Sequence, residues 1–134
     1  MKRKIKLTAI AILLTATSIF AQSNKAAWAE MKNFHHFMSG TFHPSEEVNL
    51  APLREKADSM LIAAKQWQAS AIPSNYKTDD TKKALKKLVQ QCVLIKKSVA
   101  KKATDDVLKK QISDAHDIFH VIVKECRKED EEKH

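Results

Sequence analysis

"LKKQISDAHDIFHVIVKEC", residues 108–126, decides the fold. Leu108, Ile112, Ala115, Phe119, Ile122 and Cys126 recur at alternating steps of four and three. That is the period of one helix face, and lysines and aspartates fill the opposite side. Just upstream, Thr104 stands where an N-cap belongs, and Asp105 and Asp106 fall in the first turn, where the helix dipole favours acids. A helix with one apolar stripe and a charged back is not stable alone and needs partners of the same kind.

Three more such stripes lie upstream. The first is expected over about Asn24 to Ser39, with Trp28, Met31, His35, Met38 and Phe42 in line and Gly40 as its stop. The second opens near Pro52, which suits a first helical turn, and carries Leu53, Ala57, Met60, Ala64, Trp67 and Ala71 up to Pro73. The third runs from about Asp80 to Lys102 with Leu85, Leu88, Cys92, Ile95 and Val99 inward. Strand signals are absent. Four stripes that bury one another predict an all-α fold, an antiparallel up-down-up-down four-helix bundle. The histidine-bearing segment 41–51 is expected to cross one end of it.

The chain opens "MKRKIKLTAIAILLTATSIFAQS". Lys2, Arg3, Lys4 and Lys6 precede an uncharged apolar run from Leu7 to Phe20, and Ala21 suits a cleavage position. This pattern is a secretory signal peptide, residues 1–21, followed by one domain, residues 22–134. The run is short of the roughly 20 apolar residues of a membrane span. No cysteine follows it, so no lipid anchor is expected, and the mature protein is placed in a periplasm or outside the cell. Four of the 24 basic residues and none of the 16 acidic ones lie in the leader, so the mature balance is +4. Export excludes nucleic acid as the partner, and the lysine pairs read as solvated helix faces.

Five of the six histidines fall in two stretches, "MKNFHHFMSGTFHPSEE" and the one quoted first. His116 and His120 are four apart and share a helix face, so one turn offers two imidazoles to one ion. The first and fourth helices are expected to be neighbours. Aligning one pair of ends sets His35 level with about residue 117, and aligning the other with about residue 109, a difference of roughly 12 Å along the axis. The ligand set read from this pattern is His116, His120, His36, His35, His43, Glu47 and Met31. Nitrogen with thioether suits copper, and nitrogen with carboxylate suits zinc or nickel. Each stretch taken singly also suits an ordinary helix face, and Met in a core stripe is commonly filler.

Cys92 and Cys126 belong to an oxidising compartment, where disulfides are common. Alignment across the short turn at 102–104 offsets them by roughly 18 Å of helix rise, against about 7 Å between Cα atoms in a disulfide. Two free thiols are therefore expected, with Cys92 near the level of His116 as a further donor or a small core residue. No CxxCH attaches haem covalently. No nucleophile–base pair or paired carboxylate marks an enzyme.

In layout the chain resembles the small periplasmic b-type cytochromes built as four-helix bundles. That resemblance implies non-covalent haem b held by a Met early in the first helix and a His late in the fourth, here Met31 and the His120 of "DIFHVIVKECRK". His35, His36, His43 and His116 lie outside that pattern and favour a bare ion. The sequence thus presents three functions. The first is an exported bundle that binds copper, zinc or nickel for sequestration or delivery, with a periplasmic metal-handling protein as partner. The second is a haem-binding electron carrier, with an electron-transfer protein as partner. The third is a cofactor-free interaction or stress bundle.

Overall fold

The computed structural model describes residues 28–128. The expected leader, the cut before Gln22, the expected helix start at Asn24 and the last six residues lie outside the described part. The described chain is all-helical: α1 (Ala29–Glu46), α2 (Ala51–Ala69), α3 (Thr78–Ala100), α4 (Asp105–His120) and a π-helical turn (Val121–Glu125). Each helix packs on the next and α1 packs on α4, around one buried core. No strand occurs among the described residues, only an isolated bridge between Tyr76 and Arg127.

The α4 pattern is realised in full, with all six stripe residues buried. The Thr104 side chain caps the helix by accepting from the Val107 N–H. Arg54 of α2 donates to the Ala103 carbonyl and to Asp105, both at 2.8 Å, which pins the α3–α4 turn. At the far end the Lys77 N–H donates to the Cys126 carbonyl and the Lys128 N–H to the Asn75 carbonyl. The segment just before α3 thereby holds residues 126–128. Helix α2 buries Leu53, Ala57, Met60, Ala64 and Trp67 as expected, but ends at Ala69, so Ala71 lies outside it and is exposed. Helix α3 begins at Thr78 rather than Asp80 and buries Leu85, Leu88, Cys92 and Ile95, with Val99 half-buried. The paired lysines 82–83, 86–87, 96–97, 101–102 and 109–110 are exposed.

Helix α1 departs from expectation. It does not stop at Gly40 but continues to Glu46, so most of 41–51 is helix and no strap crosses the bundle end. Gly40 keeps negative φ, and Val48, at φ 58°, supplies the left-handed residue beyond the helix end. The backbone N–H groups of Glu47 and Asn49 close onto the Pro44 carbonyl there. The buried face is also turned relative to the expected stripe. It consists of Phe34, Met38, Thr41 and Ser45, while His35 is exposed and Met31 and Phe42 are partly buried. Thr41 and Ser45 enter the interior because their hydroxyls donate to carbonyls of their own helix, Phe37 and Met38 for Thr41 and Phe42 for Ser45.

A Cβ at Gly40 would meet nothing closer than the Lys56 Nζ at 4.0 Å. Gly40→Ala should therefore raise stability by about 0.5–1 kcal/mol, the usual gain at a helix interior. A urea melt checks this. A loss of stability would mean that Gly40 ends the helix after all.

The two cysteines are far apart. The Cys126 carbonyl accepts from the Lys77 N–H just before α3, and Cys92 lies about four turns further along, roughly 20 Å of rise. Both are free and buried.

Candidate functional site

The α1–α4 contact brings histidines from both stretches together. The His35 ring lies flat on Phe119, with centroids 5.3 Å apart and planes within 4°. Two turns on, Phe42 lies flat on His116 at 3.7 Å and 7°. His35 is thus level with residue 119, close to the first of the two alignments drawn from sequence. His116 and His120, one turn apart on α4, approach edge to face with their Nε2 atoms 3.1 Å apart. His35, His43, His116 and His120, with Met38, Phe42 and Phe119, line one cavity of about 230 Å³.

The remaining sequence candidates lie elsewhere. His36 is exposed and meets the edge of Phe37, which lines a different groove beside Ile62. Glu47 is exposed at the C-cap of α1 and is not a wall of the cavity. Met31 packs at the other end of its helix, where its sulfur accepts from the Tyr76 hydroxyl at 3.5 Å. His43 lines the cavity, but its Nδ1 is engaged with Glu46 at 3.1 Å on the exposed side. Cys92 lies in the core, where burial pushes its thiol up to about 12 and so withholds the thiolate that a metal needs. Among the described residues no group of three or more His, Cys, Asp and Glu could hold a metal ion as it stands.

Phe42, Phe119 and Met38 escaped the sequence reading as members of the site. The signal was present in part, because His35, Met38 and Phe42 follow one another at three and four. What it lacked was the partner face on α4.

One Nε2 of the histidine pair donates and the other accepts, so the pair has at least one neutral ring. In either tautomer the buried His120 Nδ1 finds no partner among the described residues. Such an atom calls for an explanation, since buried polar groups are nearly always paired. Burial lowers the His116 pKa below its ordinary 6.5, and the His120 charge lowers it further; Asp117 opposes this, His43 adds to it, and Glu46 opposes it weakly. The ring is therefore neutral at neutral pH, the form that binds a metal.

The folded state binds the His116 proton less readily than the unfolded chain, so this contribution to stability is present in full above 6.5 and is lost as pH falls towards the folded value. The His116 ring resonance should titrate with a midpoint below 6.5, followed by NMR, and the urea midpoint should drop on going from about pH 7 to about pH 5. A His116 midpoint above 6.5 would mean that the ring is not enclosed as described.

Comparison of the chain with family models, with curated proteins and with solved structures finds no match. The likeness to periplasmic b-type cytochromes thus rests on Met31, His120 and the layout alone.

Proposed function

We propose that this chain is an exported four-helix bundle that binds a transition-metal ion through His116 and His120, for sequestration or delivery. One observation carries the reading. Two nitrogens bound at about 2.0–2.1 Å to one ion, at bond angles between octahedral and tetrahedral, stand about 2.8–3.4 Å apart. The two Nε2 atoms are 3.1 Å apart. The backbone already holds both rings one turn apart, so an ion replaces the hydrogen bond between them with little movement. His35 and His43 line the same cavity and can complete the set by a rotamer change.

The antiparallel up-down-up-down arrangement belongs to the same reading. Trp28 at the start of α1 meets Trp67 and Ser70 at the end of α2, and Arg54 near the start of α2 meets the end of the α3–α4 turn. Tyr76 before α3 pairs with Arg127 after α4. Export is supported by the basic and then apolar opening Met1–Ala21. No described helix is long and apolar enough to cross a membrane.

No comparable observation favours haem. At the level between Met31 and His120 the interior is filled by Phe34, Trp67 and Phe119, with ring centroids 5.5–5.9 Å apart. The test is calorimetric titration of the mature protein with copper, zinc and nickel, set beside the His116→Ala/His120→Ala variant. Binding no tighter than about millimolar in the wild type would leave the pair as a hydrogen-bonded helix face.

A further inference from the structure

The walls of the histidine cavity hold imidazoles, aromatic rings and one thioether, Met38, but no carboxylate. Met38 comes three residues after His35 and four before Phe42. His35 lies on Phe119 and Phe42 on His116. Met38 therefore faces α4 between those two stacks, opposite the turn that carries His116 and His120. It lines the cavity and is 1 % exposed, so it stands on the inner wall and not in solvent.

This wall discriminates among ions. A divalent ion asks for about four donors and, in a half-enclosed site, for negative charge to offset its own. As they stand, the described residues place no third His, Cys, Asp or Glu beside the pair, and His35 and His43 reach it only by a rotamer change. Of the two carboxylates that act on His116, Asp117 follows it on α4 and is not a wall of the cavity, and Glu46 is held by His43 on the exposed side. A monovalent d¹⁰ ion is content with fewer donors and lower charge, and a thioether beside imidazoles is the soft set that selects it. Phe42 and Phe119 cover the site with apolar surface, which a weakly hydrated ion tolerates better than a strongly hydrated one.

Resting on the metal-binding reading above, we propose that the ion is monovalent copper, held by the Nε2 atoms of His116 and His120 with the Met38 thioether as the third donor. No redox step is involved. The ion arrives and leaves as Cu(I), and His35 and His43 at the rim are the histidines it passes.

The experiment is an anaerobic competition of the mature protein with bicinchoninate for Cu(I), paired with zinc calorimetry. It compares wild type, Met38→Leu and His116→Ala/His120→Ala. Met38→Leu conserves volume and is a swap that cores tolerate. The expected result is one Cu(I) bound about 100-fold more tightly than one zinc ion. Met38→Leu should lose Cu(I) affinity by about tenfold or more with zinc binding unchanged. Copper X-ray absorption should show one sulfur in the wild type and none in Met38→Leu.

Unchanged Cu(I) affinity in Met38→Leu, or equal losses for both ions, overturns the copper assignment. So does zinc binding as tight as copper, although metal binding by the histidine pair then stands. Copper kept at full strength by His116→Ala/His120→Ala would locate it away from the pair and overturn both. No binding of any ion also overturns both.

Discussion

Phe34→Ala is expected to destabilise the protein by about 3–5 kcal/mol, as removal of a buried aromatic ring does. Phe34 is fully buried, and its ring packs against Trp67 at 5.5 Å and Phe119 at 5.9 Å, so three helices meet on it. Losing it leaves a cavity walled by two rings that other contacts hold in place. Trp67 also packs against Trp28, and Phe119 is covered by His35, so neither can collapse into the gap. Set against the 5–15 kcal/mol that holds a typical domain together, roughly a fifth or more of the stability would go. His35→Ala, one residue along, removes an exposed ring and should cost far less. Equal effects in urea melts would show that α1 is turned the other way, with His35 inward, and the cavity described above would not exist.

The second large effect is expected on metal affinity. Replacing only an outer partner of a metal ligand commonly costs 10–100-fold, so removing both His116 and His120 should cost at least about 100-fold. The fold should survive, because both residues are only partly buried and lie beside, not on, the stripe from Leu108 to Cys126. Thermal melts give an independent readout. At a free ion concentration of 100 Kd the wild type should gain about 2.7 kcal/mol, and the double variant none. His36→Ala is the control, since its ring lies against Phe37 away from the cavity. A double variant that binds as the wild type does would end the proposal for this pair. A loss in His36→Ala equal to that in His35→Ala would mean that the ion sits on α1 alone.

Much of this was legible in the amino-acid order. The stripes of α2, α3 and α4, the Thr104 cap, the Pro52 start, the solvated lysine pairs and the separation of Cys92 from Cys126 follow from local rules. In those helices only one face is apolar, and the turn between α3 and α4 is too short to allow more than one alignment. The His116–His120 neighbourhood is equally local, because four residues make one turn whatever surrounds them.

Helix α1 was different. Phe34, His35, His36, Phe37, Met38 and Phe42 spread bulky side chains around most of its circumference, so periodicity defined no single face. The choice of Phe34 over His35 as the buried residue depended on what α2 and α4 offered, a space between Trp67 and Phe119 that an apolar ring fills at no polar cost. Thr41 and Ser45 could be buried because each hydroxyl found a carbonyl of its own helix, a bond that no hydropathy pattern reveals. Gly40 carried a stop signal that the backbone did not take, since its φ is negative and contact with α2 continues past it, between Thr41 and Met60. Turning α1 by about one residue and extending it by two turns set which first-cluster residues met His116 and His120. His35 and His43 came to the cavity with Met38 and Phe42, and His36, Glu47 and Met31 did not. Local sequence fixes what lies one turn away along a helix; what lies across from it is set by the fit of two surfaces, and the surface of α1 had several ways to fit.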